Sequence, residues 1–587
     1  SASAARSPLP PAPRLDQPAT MGSHGLLQLV AWCLAVPGVG RAAAASVATT
    51  SAAAAEGEET CSAGGLCNSA AGQAPSDRQL GDETGDRGHY WPRARGRWGQ
   101  PSVSPYVGPW NLTASLAWTW NHPTGRFGTV VNGGPLIDEK KNVYLTTIEA
   151  LRKFSPDGAL LWTYNAPQHF AYTASINGDS AYVCDLSGLA VAVSLETGSE
   201  RWRTQVADHG GRDIGTIEAY RDVVVTSAGW HTEQASMGGS SHVVAMNAST
   251  GAILWQFHPD SQLWNFMPMF TSNGTFVFQD QVGGVYHLVL ATGSLIWRAG
   301  HKTGWQSTWC DGGTILGPNS IVYAVSTSRS IEELGPNVPG DLRAYRLEDG
   351  ELLWTHNFSH PPNSWPVVGR LREGAGLSLV LPVGAQAGFP KAMNVAIFGT
   401  AAGIGGFLMG IVLGSLLGLL KLCCGKGGCR VCYCRTCQLA LLGLALGYIF
   451  HFIHISVAVD IHYQGEVWAL DAETGAVQWR WDPPPWIRHD VMGDHEGLFL
   501  RLFQYRIQPA CIPNPWASAT LDANGTIYTG YQNGKIYAIR DSNADSRVDA
   551  EEVDEHDAGA GFSHPGVAMA PGMMAISSCD TLFVFKS

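Results

Sequence analysis

Charge is scarce in this chain. Asp, Glu, Lys and Arg together make up 15% of its 587 residues, and the balance is acidic, with a formal net charge of −12. No basic patch interleaved with aromatic residues is present, which argues against a nucleic-acid partner. The chain also has no Walker loop, no H-E-x-x-H pair and no G-x-S-x-G elbow. The motifs for phosphate-loop, zinc-peptidase and serine-hydrolase chemistry are therefore missing. What the chain has in excess is Gly (69) and Trp (21), the composition of a β-rich globular protein with a membrane component.

The tryptophans are periodic. Ala469-Leu-Asp-Ala-Glu-Thr-Gly-Ala-Val-Gln-Trp479 reads as a strand, a tight turn and a second strand, with Trp four residues after Gly. The same offset recurs at Gly158/Trp162, Gly198/Trp202, Gly251/Trp255, Gly293/Trp297 and Gly350/Trp354. Asp, Asn and Thr bond their own local backbone, Gly takes the positive φ that closes the hairpin, and Trp brings a large apolar face to pack on the next repeat. The Trp-to-Trp steps are 40, 53, 42, 57 and 125 residues. Steps of about 40–50 residues suit four-stranded propeller blades, and the long step is one blade plus an insertion.

The motif A-x-D-x-x-T-G-x-x-x-W resembles the pyrroloquinoline-quinone (PQQ) repeat of quinoprotein-like β-propellers. That superfamily includes quinoprotein alcohol dehydrogenases, a bacterial outer-membrane assembly lipoprotein and lumenal sensor domains. The resemblance covers roughly 115–587 outside the insertion. It implies an all-β propeller and leaves activity open.

In chain order, residues 1–45 read as a leader and signal peptide, with an apolar run from Gly25 and an Ala-rich cleavage region after Arg41. Residues 46–110 read as a disordered linker. The propeller is expected over 111–385 and 464–587. Leu116–Trp120 looks like an outer strand without inner ones, and the chain's end looks like inner strands without an outer one, so the two are expected to close the ring. Counting this way gives about eight blades.

The insertion, 386–463, holds two uncharged stretches, Met393–Leu420 and Gln438–Val459, of 28 and 22 residues. Each is long enough to span a bilayer as a helix. The intervening loop 421–437 carries Lys421, Lys426, Arg430 and Arg435 and no acid, which predicts a cytosolic loop. A two-helix hairpin returns the chain to the side it left, so the propeller stays whole in a lumenal or extracellular compartment. Sequons at Asn111, Asn247, Asn273, Asn357 and Asn524 all fall on that side. Gly406, Gly410, Gly414 and Gly418, with Gly399/Gly403 and Gly443/Gly447, form small-residue faces that suit packing within the hairpin or a homodimer. Packing within the hairpin is the favoured reading.

Cys423, Cys424, Cys429, Cys432, Cys434 and Cys437 crowd the loop. The spacing fits a four-thiolate zinc site, palmitoylated juxtamembrane cysteines or plain thiols, and lipidation is placed first. Cys61, Cys67, Cys184, Cys310, Cys511 and Cys579 remain outside the loop and the signal; six cysteines allow fifteen connectivities. Asp541, Asn543, Asp545, Arg547 (through its carbonyl), Asp549 and Glu552 match an EF-hand calcium loop, with Ser546 where Gly is expected. The alternative is a solvated acidic turn. His489-Asp490 and Asp494-His495-Glu496 crowd one inter-blade loop, where a metal site is weighed against ordinary loop polarity and the latter preferred. His122 and His564 read as turn residues.

The reading that results is a membrane-anchored protein-binding or scaffolding propeller, possessing no assigned catalytic residue. The alternatives are a PQQ- and calcium-dependent quinoprotein dehydrogenase and a calcium-responsive lumenal sensor. Quinoprotein enzymes often place a vicinal disulfide against the quinone. The only vicinal pair here, Cys423-Cys424, falls in the cytosolic loop, which counts against the enzyme.

Overall fold

The computed structural model describes residues 88–587 except 171–172, 210–214, 230–238, 302–312, 328–337, 389, 396–398, 420–428, 458–461, 512 and 563. The leader and most of the expected linker lie outside the described residues. Eight four-stranded antiparallel sheets form eight blades. Blades 1–7 run over 136–165, 175–205, 217–257, 269–300, 314–358, 367–481 and 520–557. Blade 8 takes three strands from 568–586 and its outermost from Leu116–Asn121. Trp118 pairs with Val584 and Trp120 with Leu582, so the first strand completes the last blade and closes the ring.

Each blade follows one physical scheme. Second and third strands such as Val143–Thr147 and Ala150–Phe154 are buried throughout, as strands covered on both faces must be. Outermost strands such as Glu200–Gln205 alternate half-buried and exposed, the pattern of a sheet with one wet face. Strand direction alternates outward along a blade. The hairpin turns joining strands one to two and three to four therefore emerge on one face of the disc, called here the turn face. The connections between blades, and the loops joining strands two and three, emerge on the other, called the linking face.

Residues 88–110, expected to belong to a linker, are instead packed against the innermost strands. Trp91 pairs with Ile137 of blade 1, Ile176 of blade 2 donates its N–H to the Pro92 carbonyl, and Val103 pairs with Leu521 of blade 7. Arg95 is buried and donates to the Pro366 and Ala519 carbonyls, which precede the innermost strands of blades 6 and 7. Desolvation pushes its guanidinium down to about 9. The segment closes the turn-face end of the central channel.

The insertion leaves blade 6 between Ser378–Gly384 and Gly465–Asp471, which pair with each other. It therefore projects from the linking face, and the blade forms as though it were absent. It folds as helix α1 (Thr400–Leu419) packed on helix α2 (Cys429–Val457). The boundaries differ from those expected at both helices: α1 is Thr400–Leu419 where 393–420 was expected, and α2 begins at Cys429 rather than at 438, so part of the expected loop is helix.

Candidate functional site

The linking face holds the most unusual assembly. Both roots of the hairpin pair with the connection between blades 6 and 7. Gly388 donates to the His489 carbonyl at 2.9 Å, and Tyr463 and Trp486 exchange backbone hydrogen bonds at 2.8 and 3.0 Å. Ala385, Ala387, Tyr463 and Val491 bury together against Trp486. The chain then enters α3 (Asp494–Phe499), continued by a π-helical turn over Leu500–Tyr505.

A buried charge network holds α3 in place. Arg501, fully buried, donates to Asp494 Oδ1 at 2.9 Å and faces Asp580 at 3.9 Å. Arg126 reaches Asp580 at 3.1 Å. Asp494 also accepts the backbone N–H of Cys511 at 2.7 Å, and Cys511 forms a disulfide with Cys579, the neighbour of Asp580. The disulfide thus joins the blade 6–7 connection to blade 8. Sequence spacing leaves this pairing open, because it depends on which loops meet over the ring. The acidic and histidine-bearing loop is explained by these partners: Arg488 pairs with Glu496 at 2.8 Å, and Asp490 lies 3.7 Å from His495. Burial pushes the Asp490 carboxyl up. Among the described residues no three His, Cys, Asp or Glu side chains stand together as a metal-binding set.

The hairpin is apolar outward. Phe450 is 71% exposed and Met409 68%. Among the described residues one helical window, Thr436–Ile453, is long and apolar enough to cross a membrane; α1 supplies a shorter apolar stretch, Ala402–Leu416. The glycines are consumed between the two helices. A Cβ on Gly406 would stand 2.1 Å from the Gly443 carbonyl oxygen, and one on Gly410 2.3 Å from that of Leu439. Cys423 and Cys424 lie outside the described residues. Cys429, Cys432, Cys434 and Cys437 fall within α2, whose turn of about 100° per residue spreads these positions around the axis. Zinc would need them gathered. Cys437 is an exposed free thiol and Cys184 a buried one.

The expected calcium loop lies on the turn face of blade 7, joining its third and fourth strands. Ser546 has φ +65° and Ala544 φ +67°. The sharp bend thus falls at position 6 of the loop, where EF-hands use Gly. Asn543 Oδ1 accepts from the Asp545 N–H, and Asp545 Oδ1 from the Arg547 N–H. Glu552, buried, turns inward: Oε1 accepts from Ser542 N, Ser542 Oγ and Asn543 N, and Oε2 from Asp549 N. These bonds, the Ser542 hydroxyl first, hold its carboxyl below the usual range. Asp541 Oδ2 is buried without a hydrogen bond, with Arg372 at 3.5 Å. Asp549 follows as the N-cap of a short turn over Ala550–Glu552. The loop has an EF-hand's bend and its oxygens, with Glu552 engaged by amides. Beside it a basin of about 900 Å³ is lined by Arg370, Arg372 and Arg540.

Of the sequons, Asn111 caps a short helical turn by accepting the Ala114 N–H. Asn247, Asn273 and Asn524 sit in tight turns of the turn face, and Asn357 in an outermost strand. His122 lies 3.6 Å from Glu149. His564 is buried against the Trp365 ring at 5.7 Å, and desolvation pushes it down to about 4.

The family model described as Outer membrane protein assembly factor BamB matches residues 146–331 and 232–375. A tetrathionate hydrolase of Acidithiobacillus ferrooxidans is 25% identical over 253 residues, covering 40% of this chain and 44% of that protein. A polyvinylalcohol dehydrogenase of Pseudomonas sp is 23% identical over 237 residues, covering 34% and 36%. The chain thus matches less than half the length of these curated relatives. The quinohemoprotein alcohol dehydrogenase of Comamonas testosteroni aligns in structure over 87% of this chain and 82% of its own, at a TM-score of 0.50 and 12% identity. That likeness concerns the fold. The chain is a PQQ-repeat β-propeller, as its Gly-x-x-x-Trp turns imply.

Proposed function

We propose that this chain is a membrane-anchored PQQ-like propeller that stands in a lumenal or extracellular compartment and binds or scaffolds another protein. The observation that carries the reading is the apolar helical hairpin set inside blade 6, with both ends on the linking face and the ring undisturbed. Two spans suit this placement, because a single span would split blade 6 between its second and third strands. The disulfide Cys511–Cys579 suits an oxidising compartment, and the basic segment between the helices suits the cytosol. Palmitoylation of the cysteines around it, glycosylation at the five sequons and a structural Ca²⁺ at 541–552 belong to the same reading. Ca²⁺ binding there requires Glu552 to exchange its amide partners for the ion. Gly406, Gly410 and Gly443 pack between the two helices, which favours packing within the hairpin over a homodimer through these faces.

The second reading, a quinoprotein dehydrogenase, is favoured by the likeness to polyvinylalcohol dehydrogenase. Two features count against a quinone. The turn-face end of the axis is filled by residues 88–104, and the one vicinal cysteine pair belongs to the hairpin. The experiment for both uses the full chain in isolated membranes. Resistance to alkaline carbonate, with the propeller shielded from protease added to the cytosolic side, is expected. Detergent-purified protein incubated with PQQ and Ca²⁺ is then gel-filtered. Retained quinone absorbance with dye-linked alcohol oxidation would replace the scaffold reading by the enzyme.

A further inference from the structure

The outer side of α3 and its π-helical turn is apolar and bare. Asp494, Leu498 and Arg501 point inward and are buried. Phe499 and Phe503 point out at 57% and 58% exposure, their rings stacked 6.0 Å apart and nearly parallel. Leu500, and Ile487 beside the hairpin roots, extend the patch. The aromatic pair is rigid rather than loose. Arg501 anchors the helix beneath it, Gly497 packs on Phe127, and the Tyr505 hydroxyl donates to the Thr124 carbonyl at 2.7 Å.

This patch lies on the connection that pairs with both roots of the hairpin. The segment that carries Ile487 is the one whose backbone pairs with both hairpin roots, and α3 begins within a few residues of it. A helix pair that enters a bilayer must therefore bring the patch to the bilayer surface. Arg506, three residues after Phe503, and Arg488, paired with Glu496, are exposed on the same connection, where they would meet lipid phosphates. The sequons in tight turns, Asn247, Asn273 and Asn524, are on the opposite face, while Asn357 lies near the linking-face end of the outermost strand of blade 5.

We propose that the linking face of the propeller lies on the lipid bilayer, with Phe499 and Phe503 seated at the boundary between headgroups and acyl chains. Stacked aromatic rings with flanking arginines on a short amphipathic helix suit that boundary, apolar below and charged above. The ring axis then stands roughly along the membrane normal. The turn face, with the 541–552 loop, is left open to protein partners. The proposal rests on the reading of the hairpin as a membrane anchor.

The test uses the full chain reconstituted into phosphatidylcholine vesicles, with the fluorophore NBD placed by amber suppression at position 503 or at position 157. Asp157 is exposed on the turn face. Lipids spin-labelled near the headgroup are expected to quench the fluorophore at 503 and not at 157, with aqueous iodide acting in the opposite sense. The Phe499→Ser variant, at an exposed side chain, is expected to reduce the lipid quenching at 503. A chain that resists carbonate but shows equal lipid quenching at both positions overturns the proposal and leaves the anchor. Shielding of position 503 from iodide without lipid quenching also overturns it, because a protein then covers the patch. A chain that carbonate removes overturns the anchor and the proposal together.

Discussion

The indole of Trp202 in blade 2 donates its Nε1–H to the Ala248 carbonyl of blade 3 at 2.9 Å, and its ring lies on Gly251, four residues before that blade's own Trp. The same relation joins Trp118 to Pro156 and Gly158, Trp162 to Leu195 and Gly198, Trp255 to Leu290 and Gly293, and Trp297 to Leu347 and Gly350. The Gly-x-x-x-Trp spacing is thus a chain of locks: each turn is the floor for the preceding blade's Trp, and each blade's Trp caps the next turn. Gly251 has φ +73°, and a Cβ there would stand 2.5 Å from the Trp202 ring. Gly251→Ala is expected to cost about 1–3 kcal/mol through crowding and backbone strain. Trp202→Phe, which removes the donor but keeps a ring, is expected to cost less than Trp202→Ala. Denaturant titration of the three variants gives the order.

Two glycines in the hairpin face a similar test. Gly443 and Gly406 each meet the other's carbonyl at 2.1 Å from an added Cβ, whereas a Cβ on Gly405 would meet nothing within 4 Å. Gly443→Ala should push the helices apart, at about 1–3 kcal/mol, and Gly405→Ala should be silent. Cross-linking between cysteine pairs placed across the two helices, followed in detergent, reports the separation. Loss of packing by both variants alike would show that the glycine faces are not joined as described.

How much of this was legible in the sequence follows from the range of the interactions involved. The turns are local, set by Asn, Thr and Gly within a few residues, and ring closure was readable because each end of the chain lacked what the other held. The segment 88–110 was not readable. Arg93, Arg95 and Gly96 carry no periodicity, and their order comes from contacts with residues far away in the chain, such as Glu218, Pro366 and Ala519. The same holds for Cys511–Cys579, whose partners meet only once the ring is closed. The EF-like loop stood out because its oxygen spacing is local. That Glu552 is held by the loop's amides was not visible from spacing alone.

Linking residues 68 positions apart, the disulfide removes conformational freedom from the unfolded chain worth about 4 kcal/mol in the loop-entropy account. It also holds Asp580 beside Arg126 and Arg501. The double variant Cys511→Ala/Cys579→Ala is expected to lower the melting temperature and to leave blades 1–5 protected from hydrogen exchange, with the loss concentrated in α3 and blade 8. Asp580→Asn in the oxidised protein leaves Arg501 with Asp494 alone and should cost about 3–5 kcal/mol, as breaking a buried pair does.

Acid stability should depend on His564. Burial holds its imidazole at about 4 in the folded chain, against an ordinary value near 6.5. Between those values the unfolded chain binds the additional proton, so stability rises with pH across the window and is lost as pH falls from about 6.5 toward 4. The full effect is about 3 kcal/mol. His564→Leu is expected to flatten the profile in that window. Comparing the two proteins isolates His564 from His287, which burial also pushes down to about 4. Trp fluorescence at equilibrium in denaturant, taken at several pH values, measures both curves. Parallel slopes would show that His564 does not carry the dependence.

Ser546 offers the sharpest test of the loop at 541–552. Its φ of +65° puts a side chain in the left-handed region, at the position where calcium loops use Gly to turn sharply. Such a residue carries strain of about 1 kcal/mol, which Gly relieves. Ser546→Gly should therefore stabilise the chain slightly without calcium and strengthen calcium binding, because the bend the ion needs is then unstrained. Ser546→Val should do the reverse on both counts. Glu552→Gln should abolish the calcium-dependent gain, since Glu552 is the distal carboxylate, and should also weaken the ion-free loop through its bonds to Ser542, Asn543 and Asp549. Calorimetric titration with Ca²⁺, paired with thermal melts in chelator, separates the two effects. A Ser546→Gly chain more stable in chelator yet unresponsive to Ca²⁺ would mean that the loop keeps an EF-hand's bend for the blade alone, with Glu552 serving its amides rather than an ion.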